Sequence, residues 1–128
     1  MYSKQKGGIS WIDLTIENAP QVRDFYSAVI GLEPQDMPMG DYNDFVMSSP
    51  EDADAAVGIC HAMGPNAEMP AQWLLYFNVD DVELALSKCL KSGGKVLREK
   101  TDMGSFEFGV LQDPAGAVAG VIKSKSET

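Results

Sequence analysis

The stretch WIDLTIENAPQVRDFYSAVIGLEP, Trp11–Pro34, changes its hydrophobic period once, and that change decides the fold. Its first part completes an extended run, Ile9–Ile16, in which Ile12, Leu14 and Ile16 alternate onto one face as in a half-buried strand. After Glu17, Asn18 is expected to cap a helix and Pro20 falls in its first turn. Val22, Phe25, Tyr26, Val29 and Ile30 then recur at helical spacing until Gly31 stops the helix. Extended runs are expected to follow around Glu33–Met37, Asp44–Ser48 and Ala55–His61.

The same order then restarts. Gln72–Val79 reads as a strand, Asp80 and Asp81 as a cap, and Val82, Leu84, Ala85, Leu86, Cys89 and Leu90 as a helix stopped at Ser92–Gly94. Extended runs at Lys95–Arg98, Phe106–Gln112 and Ala117–Ile122 complete it, the last two joined by an Asp113-Pro114 turn. Val79 lies 63 residues after Ile16, Gly94 lies 63 after Gly31, and VAGVI (Val118–Ile122) echoes AVGIC (Ala56–Cys60) at 62. Two echoing strand–helix–strand–strand–strand modules argue for a pseudo-twofold pair sharing one core or one cleft. The reading is α+β and one domain over 1–128: module 1 at about 9–61, a Pro- and Gly-bearing linker at 62–71, and module 2 at about 72–122.

Ten Lys and Arg against nineteen Asp and Glu give a formal charge of −9, which repels phosphate backbones and anionic lipid. No nucleic acid and no membrane partner is therefore expected. The amino-terminal MYSKQKGG has no apolar core of a secretory signal, and a cytoplasmic location is expected. Cys60 and Cys89 show no CxxC spacing and read as two reduced thiols.

WIDLTIENAPQVRDFYSAVIGLEP, YFNVDDVELALSKCLKSGGKVL and FGVLQDPAGAVAGV together resemble the glyoxalase, bleomycin-resistance and extradiol-dioxygenase (vicinal oxygen chelate) superfamily over about residues 9 to 122. The resemblance implies two βαβββ modules whose curved mixed sheets form a cup-shaped cleft around a ligand, and chains that pair as homodimers. Metal-using members carry histidine or carboxylate at four cup positions, on the first and last strands of each module. Carried over, these fall on Trp11, Gly58, Leu74 and Gly120, none of which has a side chain that ligates a metal. The expectation is no metal and no cofactor, with the two glycines clearing space on the cup floor.

Strand alternation then places Trp11, Asp13 and Thr15, and Leu74, Tyr76 and Asn78, inside the cup. Phe45, Met47, Phe106 and Phe108 are candidates for the rest of the wall. The expected ligand-binding set is thus Trp11, Asp13, Thr15, Phe45, Met47, Gly58, Leu74, Tyr76, Asn78, Phe108 and Gly120. Asp13 and Tyr76 are the candidate catalytic groups, Asp13 because a carboxylate turned inward must be hydrogen-bonded or hold its proton. His61, the one histidine, alternates away from the cup and has no carboxylate at a ligand spacing. Three functions stay open: a metal-free protein binding a small, partly aromatic molecule; a glyoxalase-like lyase, isomerase or dioxygenase without a metal; and an interaction module with a vestigial pocket.

Overall fold

In the computed structural model, which describes residues 2–125, the chain runs β1 (Ile9–Ile16), α1 (Ala19–Ile30), β2 (Glu33–Pro38), β3 (Asn43–Ser49), β4 (Asp52–His61), β5 (Trp73–Asn78), α2 (Val82–Lys91), β6 (Lys95–Asp102), β7 (Phe106–Gln112) and β8 (Val118–Ser124). A βαβββ order occurs twice, as the repeat in the sequence predicts. The chain divides into two compact units, Ile12–Trp73 and Tyr2–Trp11 together with residues 74–125. β1 begins in the second unit and ends in the first.

The first unit orders its strands β2-β3-β4-β1, with β1 parallel to β4 and the other neighbours antiparallel. Its core is Ala19, Phe45, Met47 and Ile59, onto which Ile16, Val22, Tyr26 and Trp73 pack. Trp73 donates its indole N–H to the Tyr26 hydroxyl at 3.1 Å, joining the last residue of the unit to its helix. Phe45 and Met47 were expected on the ligand wall and instead form this core beneath α1. The cause is register: Phe45 lies opposite Ile59, and Ile59 opposite Leu14, so all three share the helix-side face. A one-residue slip in β3 exchanges its two faces.

α1 covers the sheet with a narrow stripe, Ala19, Val22 and Tyr26, and leaves Phe25, Val29 and Ile30 more than half exposed. Asn18 does not cap it; its amide donates to Gln21 Oε1 at 2.9 Å instead. Asp81 does cap α2, accepting from the Leu84 N–H at 3.0 Å. β2, at one edge of this sheet, is exposed along its whole length and carries Pro34 and Pro38, which deny a further strand part of the ladder.

The second unit repeats the plan as β5-β8-β7-β6, with β5 parallel to β8. Val82, Leu86 and Val121 form its helix-side core with Val79, Ala85, Val96 and Leu111. At the end of α2 the left-handed residue is Gly93, at φ +92°, within the expected stop Ser92–Gly94. Gly94 serves close approach: a Cβ there would lie 2.7 Å from the Gln112 carbonyl oxygen.

Candidate functional site

On the face of the second unit turned away from α2, Tyr76 lies opposite Gly120. Phe77 lies opposite Val121, a core residue under α2, so Tyr76 and Gly120 must share the other face. Tyr76 is 6% exposed. Its ring occupies the space above Gly120: a Cβ added at 120 would overlap Tyr76 Cδ2 and Cε2 and lie 2.9 Å from Cγ. The open floor expected at Gly120 is therefore filled from within the chain. The missing side chain makes room for an aromatic ring, and the reason is the cross-strand pairing itself.

An aromatic strip continues from there. Phe108 meets Tyr76 edge-on, with centroids 6.1 Å apart, and Phe106 lies 6.1 Å beyond Phe108. The Arg98 guanidinium stands 4.8 Å over the Phe108 ring, a cation–π contact, and its Nε donates to Thr101 Oγ1 at 3.2 Å. Leu74 is fully buried. Asn78 uses its amide on the amino-terminal segment, donating to the Ser3 and Gln5 carbonyls at 2.8 and 3.2 Å. Trp11 is half-buried in β1. Arg98 was missed in the sequence because nothing in its local pattern separates it from a solvated strand residue.

In the first unit, Asp13 lies opposite Gly58 and Thr15 opposite Cys60, so these residues share the face turned away from α1. Asp13 thus holds the place in its module that Tyr76 holds in the other: each faces the glycine of its module's last strand. Thr15 is buried and Asp13 Oδ1 is shielded from solvent. Burial, the charges of Asp13 and Asp44, and a hydrogen bond to Asp44 all push the Cys60 thiol upward, far from the reactive thiolate range.

Asp44 is a second polar residue that nothing in the local sequence pattern singles out. It is 5% exposed, accepts the His61 backbone N–H at 2.9 Å, and lies 3.1 Å from His61 Nδ1. Its carboxylate extends the β3–β4 ladder where the backbone pairing ends at Phe45 and Ile59. Tyr42 and Phe45 flank the imidazole, with centroids at 5.0 and 6.0 Å. Asp44 stands at no metal-ligand spacing from His61 in the sequence; the two meet as a hydrogen-bonded pair because they lie across a hairpin, 17 residues apart.

The raised Cys60 thiol has a measurable consequence. The folded chain favours the protonated form, so its contribution to stability is complete below the ordinary thiol value of 9.0 and is lost as pH climbs above it. The loss is at most about 1.4 kcal/mol per pH unit. Urea melts between about pH 8 and 10 should show a shallower decline for Cys60→Ala than for the wild type. Parallel declines would refute the assignment.

Trp11, Gly58, Leu74 and Gly120 do not fit a metal. An indole, an isobutyl group and two glycines present no imidazole, carboxylate or thiolate. Among the described residues, no three His, Cys, Asp or Glu side chains come together as a ligand set.

Two βαβββ units, each with a parallel pairing of its first and last strands, define the class of fold. The chain belongs to the Glyoxalase/Bleomycin resistance protein/Dioxygenase superfamily, whose family model matches residues 8–119. It is 32% identical over 120 residues to the protein named "Putative glyoxylase CFP32" of Mycobacterium tuberculosis and Mycobacterium bovis, covering 93% of this chain and 45% of that protein. It is 27% identical over 117 residues to the anthracycline biosynthesis protein DnrV of Streptomyces peucetius, covering 91% and 42%. The chain thus spans less than half the length of these curated relatives. The fold is shared with methylmalonyl-CoA epimerase from Mycobacterium tuberculosis, at a TM-score of 0.60 and 10% identity over 99% of this chain and 95% of that one. Among the described residues, no helix is long and apolar enough to cross a membrane.

Proposed function

We propose that this chain binds a small, partly aromatic molecule, and that it does so without a metal. The observation that carries the reading is the strip of Tyr76, Phe108 and Phe106 on the sheet face turned away from α2, with a guanidinium over it. Aromatic side chains with a few placed polar groups are the usual lining of a small-molecule site, and ring stacking contributes about 0.5–1.5 kcal/mol per pair beyond burial. The name of the Streptomyces peucetius relative, an anthracycline biosynthesis protein, is in keeping with an aromatic ligand.

The test is a titration with the neutral flat probe 2-acetylnaphthalene, followed by NMR of the aromatic side chains. Saturable shifts of the Phe106 and Phe108 ring resonances are expected, and Phe106→Leu should weaken binding about tenfold or less, the range of one stacked pair. Ring resonances that do not move at millimolar probe would sink the reading.

A second reading is an enzyme that needs no metal. It is favoured by Asp13, whose Oδ1 is shielded from solvent on a face shared with Thr15 and Cys60, an environment in which a carboxylate can act as acid or base. The shared fold with an epimerase is compatible with it. Turnover of any substrate that disappears in Asp13→Asn, while 2-acetylnaphthalene still binds, would favour the enzyme over the binding protein.

A further inference from the structure

His61 is the one histidine of the chain, and the fold sets a buried carboxylate against it. It closes β4 beside Ile16, the last residue of the parallel β1, so the ring stands at the end of these strands. Asp44 Oδ1 lies 3.1 Å from Nδ1 and also accepts the His61 backbone N–H at 2.9 Å. The Cys60 thiol, held in its protonated form, is a third donor to the same carboxylate. A carboxylate that serves three donors acts as an acceptor, so the proton between Asp44 and Nδ1 belongs to the imidazole. That fixes the tautomer: Nδ1 carries the hydrogen and Nε2 the lone pair.

Among the described residues Nε2 meets no donor or acceptor, yet it is not sealed from water, so it opens to solvent. The rest of the side chain is held. It is 13% exposed, with Tyr42 edge-on to the ring and Phe45 beyond it. Main chain and ring are tied to one oxygen of Asp44, which fixes the orientation of the imidazole. A basic nitrogen with a fixed lone pair, backed by a carboxylate, is the arrangement in which histidine serves as base or nucleophile. A histidine that only filled space would need no carboxylate aimed at its ring.

We infer that His61 is a nucleophile toward activated acyl groups, with Asp44 as its positioning residue, and that the substrate class is an aryl ester. The site lies within the first unit and does not depend on the aromatic strip of the second. Nε2 adds to the ester carbonyl carbon, the bond from that carbon to the aryl oxygen breaks, and the aryloxide leaves with the bonding pair. The acyl-imidazolium keeps its Nδ1 proton on the hydrogen bond to Asp44, whose charge offsets the new cation. Water then adds to the acyl carbon and the C–N bond breaks. The acid departs, its protons pass to solvent, and Nε2 regains its lone pair. Ester and water are thus converted to acid and phenol with no further reactant. Tyr42, half-buried beside the imidazole, offers a ring against which the aryl group lies.

The experiment uses p-nitrophenyl acetate with the wild type, His61→Gln and Asp44→Asn at about pH 8.5, above the ordinary histidine range, with far-UV circular dichroism as the folding control. Nitrogen-15 NMR of the one imidazole should show Nδ1 protonated and Nε2 unprotonated. Release of p-nitrophenolate should be about tenfold or more faster in the wild type than in His61→Gln, a modest part of what such catalysis contributes. In urea the unfolded wild type keeps its histidine without Asp44 beside it, and should lose most of its excess over His61→Gln in the same urea. That comparison and the NMR decide the matter even where a variant does not fold. Asp44→Asn should move the ring proton toward Nε2 and slow the release, because an amide can donate to Nδ1 where a carboxylate only accepts. A proton on Nε2 of the wild type would overturn the site. So would equal release by the wild type and a folded His61→Gln, or an excess that survives urea undiminished. A folded Asp44→Asn with the wild-type tautomer and rate would overturn the role of Asp44.

Discussion

Gly120→Ala should destabilise the folded chain by about 1–3 kcal/mol, the cost of forcing atoms into a packed site. The new Cβ has nowhere to go. It would overlap the ring of Tyr76, which is 6% exposed and directly opposite on the neighbouring strand. A buried ring fixed at its own backbone cannot retreat as the tip of a flexible side chain can, so either the ring leaves its position or the strands separate. A double-mutant cycle identifies the cause. Tyr76→Ala alone should cost about 3–5 kcal/mol, as other large buried rings do, and adding Gly120→Ala to it should cost almost nothing further. Urea melts of the four proteins supply the cycle. Additive losses would mean that the two residues do not compete for the same volume, and the explanation of Gly120 would fail.

Met47→Ala should cost about 2–5 kcal/mol and leave probe binding unchanged. Met47 is fully buried and packs with Ala19, Phe45 and Ile59 under α1, on the sheet face opposite to Asp13, Thr15 and Gly58. Truncating it opens a cavity that its close-packed neighbours fill only in part. Because the strip of Tyr76, Phe108 and Phe106 lies in the other compact unit, the affinity of 2-acetylnaphthalene should stay within about twofold as long as the variant is folded. A stable Met47→Ala that no longer binds the probe would return Met47 to the ligand wall.

These two substitutions mark the boundary of what could be read without coordinates. Strand β7 was legible to the residue, Phe106–Gln112, and β1 likewise, because a period of two against a buried face leaves few alternatives. Both helices and their ends follow from apolar spacing and from glycine, although the cap expected at Asn18 is absent. The sites were harder. Alternation puts Tyr76 and Gly120 on the face away from the helix, where they lie, but the meaning of the glycine depends on which residue sits opposite it. Phe45 and Met47 went to the wrong face because a short strand between loops gives no purchase on its own register.

What the sequence determined by itself is the repeated βαβββ order, the faces of its first strand and of β5, and the lack of metal ligands at Trp11, Gly58, Leu74 and Gly120. These are properties of local periodicity and of side-chain chemistry, and each is complete within a few residues. Tertiary structure alone decided the pairings that cross the chain. It set Tyr76 over Gly120, Asp44 against His61, and Arg98 onto Phe108 through two bulges. Each depends on strand register, which is chosen by how whole faces pack rather than by neighbours in sequence, and one inserted residue is enough to send a side chain to the opposite side of a sheet.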